Sequence, residues 1–183
     1  MSESAAETTR SGDGAAAVVA VWFDRHVDAV HAYAARRVGR EVASEVTAET
    51  FRTALEFFDR YDSQIGGERA WLYGIASNLL RRHWRVEERR LRAYARHEAL
   101  SRREAIDPLL AVDDRVDAGR RFDPIVAAIE RLEPVDRDLL FLVAWERCTS
   151  AEAAGALGLP PSTIRRRLQR IRAELRRVEG TTE

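Results

Sequence analysis

The feature that most constrains this chain is where proline is missing. The first 95 residues hold none, and the five prolines stand at 108, 124, 134, 160 and 161. Proline removes a backbone donor and clashes with the preceding turn, so its absence permits long unbroken helices. Over the same stretch apolar residues recur at spacings of three and four, with no sustained period-two alternation between turn signals. The predicted fold is all-α. Helices are expected at about 18–38, 42–60 and 68–96. Gly39 closes the first as a C-terminal cap, and Asp62–Gly67 forms the loop before the third. Residues 1–17, rich in Ala, Ser, Thr, Gly and Glu, read as a disordered tail.

Residues 98–122 are acidic, contain Pro108 and lose the regular apolar stripe, which marks a flexible linker with at most a short helix at its start. A second helical domain is expected over 123–178, followed by a short tail at 179–183. Within it Ile125, Ile129 and Leu132 form one stripe, and Leu139, Leu140, Leu142, Val143 and Trp145 form another after Pro134. Thr149-Ser150-Ala151-Glu152 has the capping-box pattern and opens a short helix ending at Gly158. Pro160 and Pro161 then admit a new helix, because proline is tolerated in a first turn. The architecture is two helical domains, 18–97 and 123–178, joined by the acidic linker.

Charge bears on the partners. The formal net charge is zero, and all 30 basic residues are arginine. The distribution is uneven: between Arg165 and Arg177 seven arginines face the single acid Glu174, whereas between Glu104 and Asp117 five acids face Arg115. Arginine binds phosphate and guanine edges through two parallel hydrogen bonds, so the basic segment is a candidate nucleic-acid surface. No apolar run approaches the length of a membrane span, and the N-terminus lacks a basic start before an apolar core, so no membrane insertion and a cytoplasmic location are expected. Cys148 is the only cysteine, which excludes an intrachain disulfide and speaks against a thiolate zinc site. Beside the start of a helix it reads as a buried thiol rather than a redox switch. The histidines His26, His31, His83 and His97 are scattered and no phosphate-cradling glycine loop is present, so neither catalysis nor a metal or other cofactor is expected.

The segment Thr149–Arg177 has the form helix, tight turn, longer helix, as in a helix-turn-helix. On its second helix Ile164, Leu168, Ile171 and Leu175 make a buried stripe, leaving Ser162, Thr163, Arg165, Arg166, Arg167, Gln169 and Arg170 to solvent or a ligand. Early polar residues on such a helix read base edges in the major groove while arginines hold the backbone. Here the residues carry a resemblance. Asp136-Arg137-Asp138-Leu139-Leu140, Ala151–Gly158 and Ser162–Leu168 resemble region 4 of the RNA polymerase sigma-70 family, where the helix-turn-helix reads the minus-35 promoter element. Arg147 stands where that family commonly has glycine, and Ala153 replaces a branched core residue.

The N-terminal half is similar to sigma region 2, through Glu45–Phe51 and more specifically Ala70-Trp71-Leu72-Tyr73-Gly74-Ile75-Ala76-Ser77-Asn78-Leu79-Leu80. The pair of regions, in this order with a short connector, resembles the extracytoplasmic-function subfamily. The resemblance implies docking on core RNA polymerase, through its beta-prime coiled coil and beta flap, with Glu45, Glu49 and Phe51 on the polymerase side. Val42 sits where the family often has an acidic cap for that helix. It also implies duplex contacts from Ser162, Thr163, Arg165, Arg166, Arg167 and Arg170. Minus-10 melting would fall to Asn78, Arg81, Arg82 and Arg85, with the loop from Asp59 to Arg69 forming part of a pocket for a flipped base. Many relatives are held by an anti-sigma factor, a partner the residues neither require nor exclude. Trp71 is expected in the core, and Trp84 is open between core and ligand. The linker acids are either a strand through the polymerase cleft or a solvated tether. A conventional helix-turn-helix repressor is the alternative class.

Overall fold

The computed structural model describes residues 3–104 and 124–179. Among them every regular element is helical: α1 (Glu3–Glu56), a 3-10 turn (Phe58–Arg60), α2 (Glu68–Glu104), α3 (Pro124–Arg131), α4 (Pro134–Ala144), α5 (Ser150–Leu157) and α6 (Pro161–Glu179). No helix among the described residues is long and apolar enough to cross a membrane.

The proline-free half forms α1 and α2, and the part of α1 before Gly39 runs alongside α2 in the same direction, Trp22 meeting Trp71 and Tyr33 meeting Ser77. Gly39 interrupts α1 with φ 79° and ψ 167°, so the expected break at this glycine is a kink between two helical segments. A left-handed φ is open to glycine at little cost because it has no Cβ. Two expectations are corrected. The helix begins at Glu3 instead of after a disordered tail, and Ala15 and Val19 already lie in its buried face; the alanines at 15, 16 and 17 are strong helix formers. At the other end α2 runs on to Glu104, beyond the expected end at 96, because no proline or glycine stops it before Pro108. The remaining linker positions, with Asp107, Asp113, Asp114 and Asp117, lie outside the described residues.

Tyr33, Leu72, Tyr73, Ala76 and Leu80 fill the α1–α2 seam with Val30, Ala34, Ala43 and Ala54. Trp22 receives Tyr61 and Trp71 edge-on, at 4.8 and 5.9 Å between ring centres. Trp71 is therefore a core residue, as expected. The smaller second core joins Leu132, Leu139, Ala153, Ala154, Ile164, Leu168 and Ile171 from α3 to α6.

Local signals in the second half are realised. The Thr149 hydroxyl accepts from the Glu152 amide while the Glu152 carboxylate accepts from the Thr149 amide, and Gly158 ends α5 at φ 63°. Arg137 donates to the carbonyls of Ile129, Glu130 and Leu132, satisfying the C-terminal end of α3.

The two halves are not independent. Leu142 and Cys148 of the second half, with Ala156, belong to the same buried cluster as the α1–α2 core, and α5 lies along α2.

Candidate nucleic-acid interface

Helix α6 is held on α3, α4 and α5 by the stripe read from the sequence: Ile164, Leu168 and Ile171 are buried and Leu175 is half-buried. Ser162, Arg165, Arg166, Gln169 and Arg170 are exposed on the opposite face, with Thr163 and Arg167 at its edge. The basic face is not uniformly free. The carboxylate of Asp136, a fully buried residue of α4, accepts from Arg167 Nη1 at 2.7 Å and from Arg170. These two side chains tie α6 to α4, and the single Asp136 carboxylate offsets one of their two positive charges while Arg170 stays exposed. Arg165 and Arg166, at the N-terminal end where a recognition helix meets bases, are the exposed cations of that turn.

On α2, Asn78, Arg82 and Arg85 are exposed. Asn78 Oδ1 accepts from Arg81, so these two act as a unit. Arg81 also donates to Asp138 of α4. Arg82 turns the other way, lining a groove of ≈ 390 Å³ with Glu45, Glu49, Leu79 and His83. The structure thus separates Arg82 from Arg81 and Arg85, which line a cavity of ≈ 480 Å³ with Trp84, Leu91 and Pro134. Trp84, left open by the sequence, is half exposed on that wall.

The acidic face expected to meet polymerase is present in part. Glu45 is exposed and Glu49 half-buried on one side of α1, four residues apart and lining the same groove. Arg52 bonds both oxygens of Glu49 and holds its carboxyl below the usual carboxylate range. Phe51 is a correction: it is 6% exposed and packs edge-on against Phe23, 4.9 Å between ring centres, so it supports the helix instead of touching a partner.

What sequence reasoning missed is a set of carboxylate–arginine contacts between the halves. Arg37 Nη2 donates to Asp138 at 2.5 Å, and its guanidinium sits over the Phe141 ring. Arg36 donates to Glu146, whose other oxygen accepts from the Tyr73 hydroxyl at 2.7 Å. Burial, followed by the Glu146 contact, drives the Tyr73 hydroxyl well above the ordinary tyrosine range. Arg69 reaches Glu152 at 3.2 Å. The signal available was Asp138, an acid directly before the apolar run Leu139–Ala144 of α4, where an unpaired charge would be too costly to bury. No side-chain polar atom buried among the described residues lacks a partner. Cys148 is buried between the halves, and burial pushes its thiol up to about 11, the behaviour expected of an inert thiol.

Comparison with known proteins follows this division. Residues 22–90 match the model for sigma-70 region 2, and residues 122–175 match sigma-70 region 4. A curated relative from Streptomyces coelicolor, the ECF RNA polymerase sigma factor BldN, is 28% identical over 144 residues, 78% of this chain and 53% of its own length. The chain therefore spans about half the length of that relative. Among solved structures, CnrH in complex with the cytosolic domain of CnrY aligns at a TM-score of 0.59 and 20% identity, covering 96% of each chain. The sigma factor RpoE of Bartonella quintana, solved with the anti-sigma factor NepR, aligns at a TM-score of 0.52 and 18% identity, over 88% of this chain and 96% of its own.

Proposed function

Because this chain belongs to the sigma-70 family, with regions 2 and 4 in order on one polypeptide, we propose that it binds core RNA polymerase and directs promoter-specific transcription initiation. That ordered pair is the observation that carries the reading. A repressor needs only a duplex reader, whereas region 2 supplies the surfaces for polymerase docking and strand opening. The family consists of non-catalytic polymerase subunits, so no bond chemistry is assigned to any residue, and the chain acts in the cytoplasm, where polymerase is.

Region 4 (α3–α6) presents α6 to the upstream minus-35 element. Ser162, Thr163, Arg165 and Arg166 meet base edges and phosphates, and Arg167 and Arg170 fix the angle of α6 through Asp136. Region 2 (α1–α2) captures the opened minus-10 strand with Asn78, Arg81 and Arg85, through hydrogen bonds to a flipped base and cationic contacts to the single-stranded backbone. Glu45 and Glu49 of α1 face basic residues of the polymerase coiled coil, with Arg82 of α2 beside them. An anti-sigma factor belongs to the same reading, since RpoE, which shares this fold, was solved with one.

Purified chain added to core polymerase lacking any other sigma, on a pool of genomic fragments, is expected to start transcripts from a discrete promoter set. No transcripts, together with binding of the isolated chain to palindromic duplex sites, would replace this reading with a repressor.

A further inference from the structure

The cavity between α2 and the start of α4 has a volume of ≈ 480 Å³, within the range of sites that enclose a small organic ligand. The apolar part of its wall is Trp84 and Leu91 of α2 with Pro134 of α4. Trp84 is 45% exposed, and its ring contact among the described residues is with His83, 6.0 Å between centres. Much of a flat indole surface is therefore left to a ligand. The charged part is four guanidiniums, those of Arg37, Arg81, Arg85 and Arg137. Asp138 offsets one of these charges by taking Arg37 and Arg81 together. Arg137 donates to neutral carbonyls of α3, which leave its charge uncompensated. No ion pair holds the exposed Arg85 among the described residues. Glu87 and Glu88 also line the cavity, but each is engaged along the helix, by Arg90 at 3.7 Å and Arg92 at 2.5 Å. The wall thus sets surplus positive charge beside a flat apolar surface.

We propose that this cavity binds a free nucleoside diphosphate, its base laid against Trp84 and Leu91 and its phosphates on Arg85 and Arg137. Every base has a flat face that an aromatic ring can stack on, and the guanidinium fork matches phosphate oxygens in pairs. Other occupants suit the wall less well. An apolar ligand would bury the guanidiniums without a counter-charge, and inorganic phosphate would leave the indole face in water. A base of the promoter strand has the same chemistry, but Asn78, on which the proposed capture of that strand depends, is not in this wall. Pro134 and Arg137 form a second wall on α4, which suits a small molecule better than a continuous strand. A nucleotide held here takes Arg85 from the single strand and so weakens its capture. That second effect rests on the assignment of strand capture to region 2, whereas the binding stands without it.

Guanosine and adenosine 5′-diphosphate are the probes, titrated calorimetrically into the full-length protein without polymerase. Saturable binding at one site per chain is expected. Trp84→Ala and Arg85→Ala are each expected to weaken it about tenfold, the worth of one stacked base or one charge-assisted contact. Both side chains are exposed, so the thermal midpoint is expected to hold in both variants. Trp84→Phe is expected to keep most of the affinity, since any aromatic ring can stack on a base. Inorganic pyrophosphate is expected to bind about tenfold more weakly than either nucleotide and to be indifferent to Trp84→Ala. No saturable binding of either nucleotide at millimolar concentration would overturn the site. Undiminished affinity in both alanine variants would overturn its location and move the nucleotide to another arginine face, such as that of α6. Pyrophosphate binding as tightly as the nucleotides would overturn the role of the base. A mixed-sequence single-stranded DNA 20-mer is expected to bind about tenfold more weakly under saturating nucleotide, and an unchanged affinity would overturn the competition. The transcription assay with core polymerase judges the assigned function separately.

Discussion

At the scale of single residues, burial separates arginines that look alike in the sequence. Arg166 is exposed on α6, whereas Arg167 points at Asp136, which lies in the core and needs its counter-charge. Arg166→Ala is therefore expected to lower the slope of log affinity against log salt for duplex binding by about 0.9, one phosphate contact. Arg167→Ala is expected to leave that slope nearly unchanged and to lower the thermal midpoint, because it strips a partner from a buried carboxylate. Equal slopes for the two variants would show that Asp136 does not hold Arg167 in solution. Arg147 is a second case. It has φ 53°, a left-handed backbone in a non-glycine residue, at the position where the family resemblance leads one to expect glycine. Arg147→Gly is expected to stabilise the protein by about 0.5–1 kcal/mol in denaturant titration, the relieved strain being partly offset by a more flexible unfolded chain.

At the scale of elements, α5 shows how one side chain serves two levels. Glu152 closes the capping box with Thr149 and also receives Arg69 from region 2. Its bond from the Thr149 backbone amide is the main cause holding its carboxyl below the ordinary range. A carboxylate whose folded pKa is depressed contributes stability above its unfolded pKa and loses it as pH falls through the folded pKa. Glu152→Gln is accordingly expected to cost about 1 kcal/mol near neutral pH. The gap in thermal midpoint between variant and wild type should close under acid. A gap independent of pH would remove the ionised carboxylate from the account. The cap, the glycine stop at Gly158 and the apolar stripe of α6 were all legible in the sequence, because capping and amphipathic periodicity act within a few residues. The length of α2 and the start of α1 were less so. Helix ends are set by where a stop signal falls, and composition alone made the tail look disordered.

At the scale of the whole molecule, the two regions share a core. Leu142 of α4 is fully buried in the same cluster as Val30, Tyr33, Leu72 and Leu80. Wild type is expected to unfold in one cooperative transition despite having two family regions. Leu142→Ala is expected to cost about 2–4 kcal/mol. Two separated transitions in the variant, seen by calorimetry, would mark region 2 and region 4 unfolding on their own. Two transitions already in wild type would mean that the shared core contributes little. The ion pairs add specificity of docking more than net stability, since desolvating Asp138 and Arg37 offsets much of their attraction.

The sequence by itself determined the all-helical class, the order of the two regions, the helix-turn-helix with its buried stripe and the family. Each of these is written in local spacing or in a string of adjacent residues. Only the tertiary structure decided which arginines are free, that Phe51 is core, that Arg82 faces away from Arg81, and that region 4 lies on region 2. Those outcomes depend on pairs such as Arg37 with Asp138 and Gly74 with Ala156, far apart in the chain and chemically ordinary until the fold makes them neighbours. A charge or a missing side chain has no assigned partner in one dimension. The cost of burying it unpaired, or the room it leaves, appears only when a second backbone arrives.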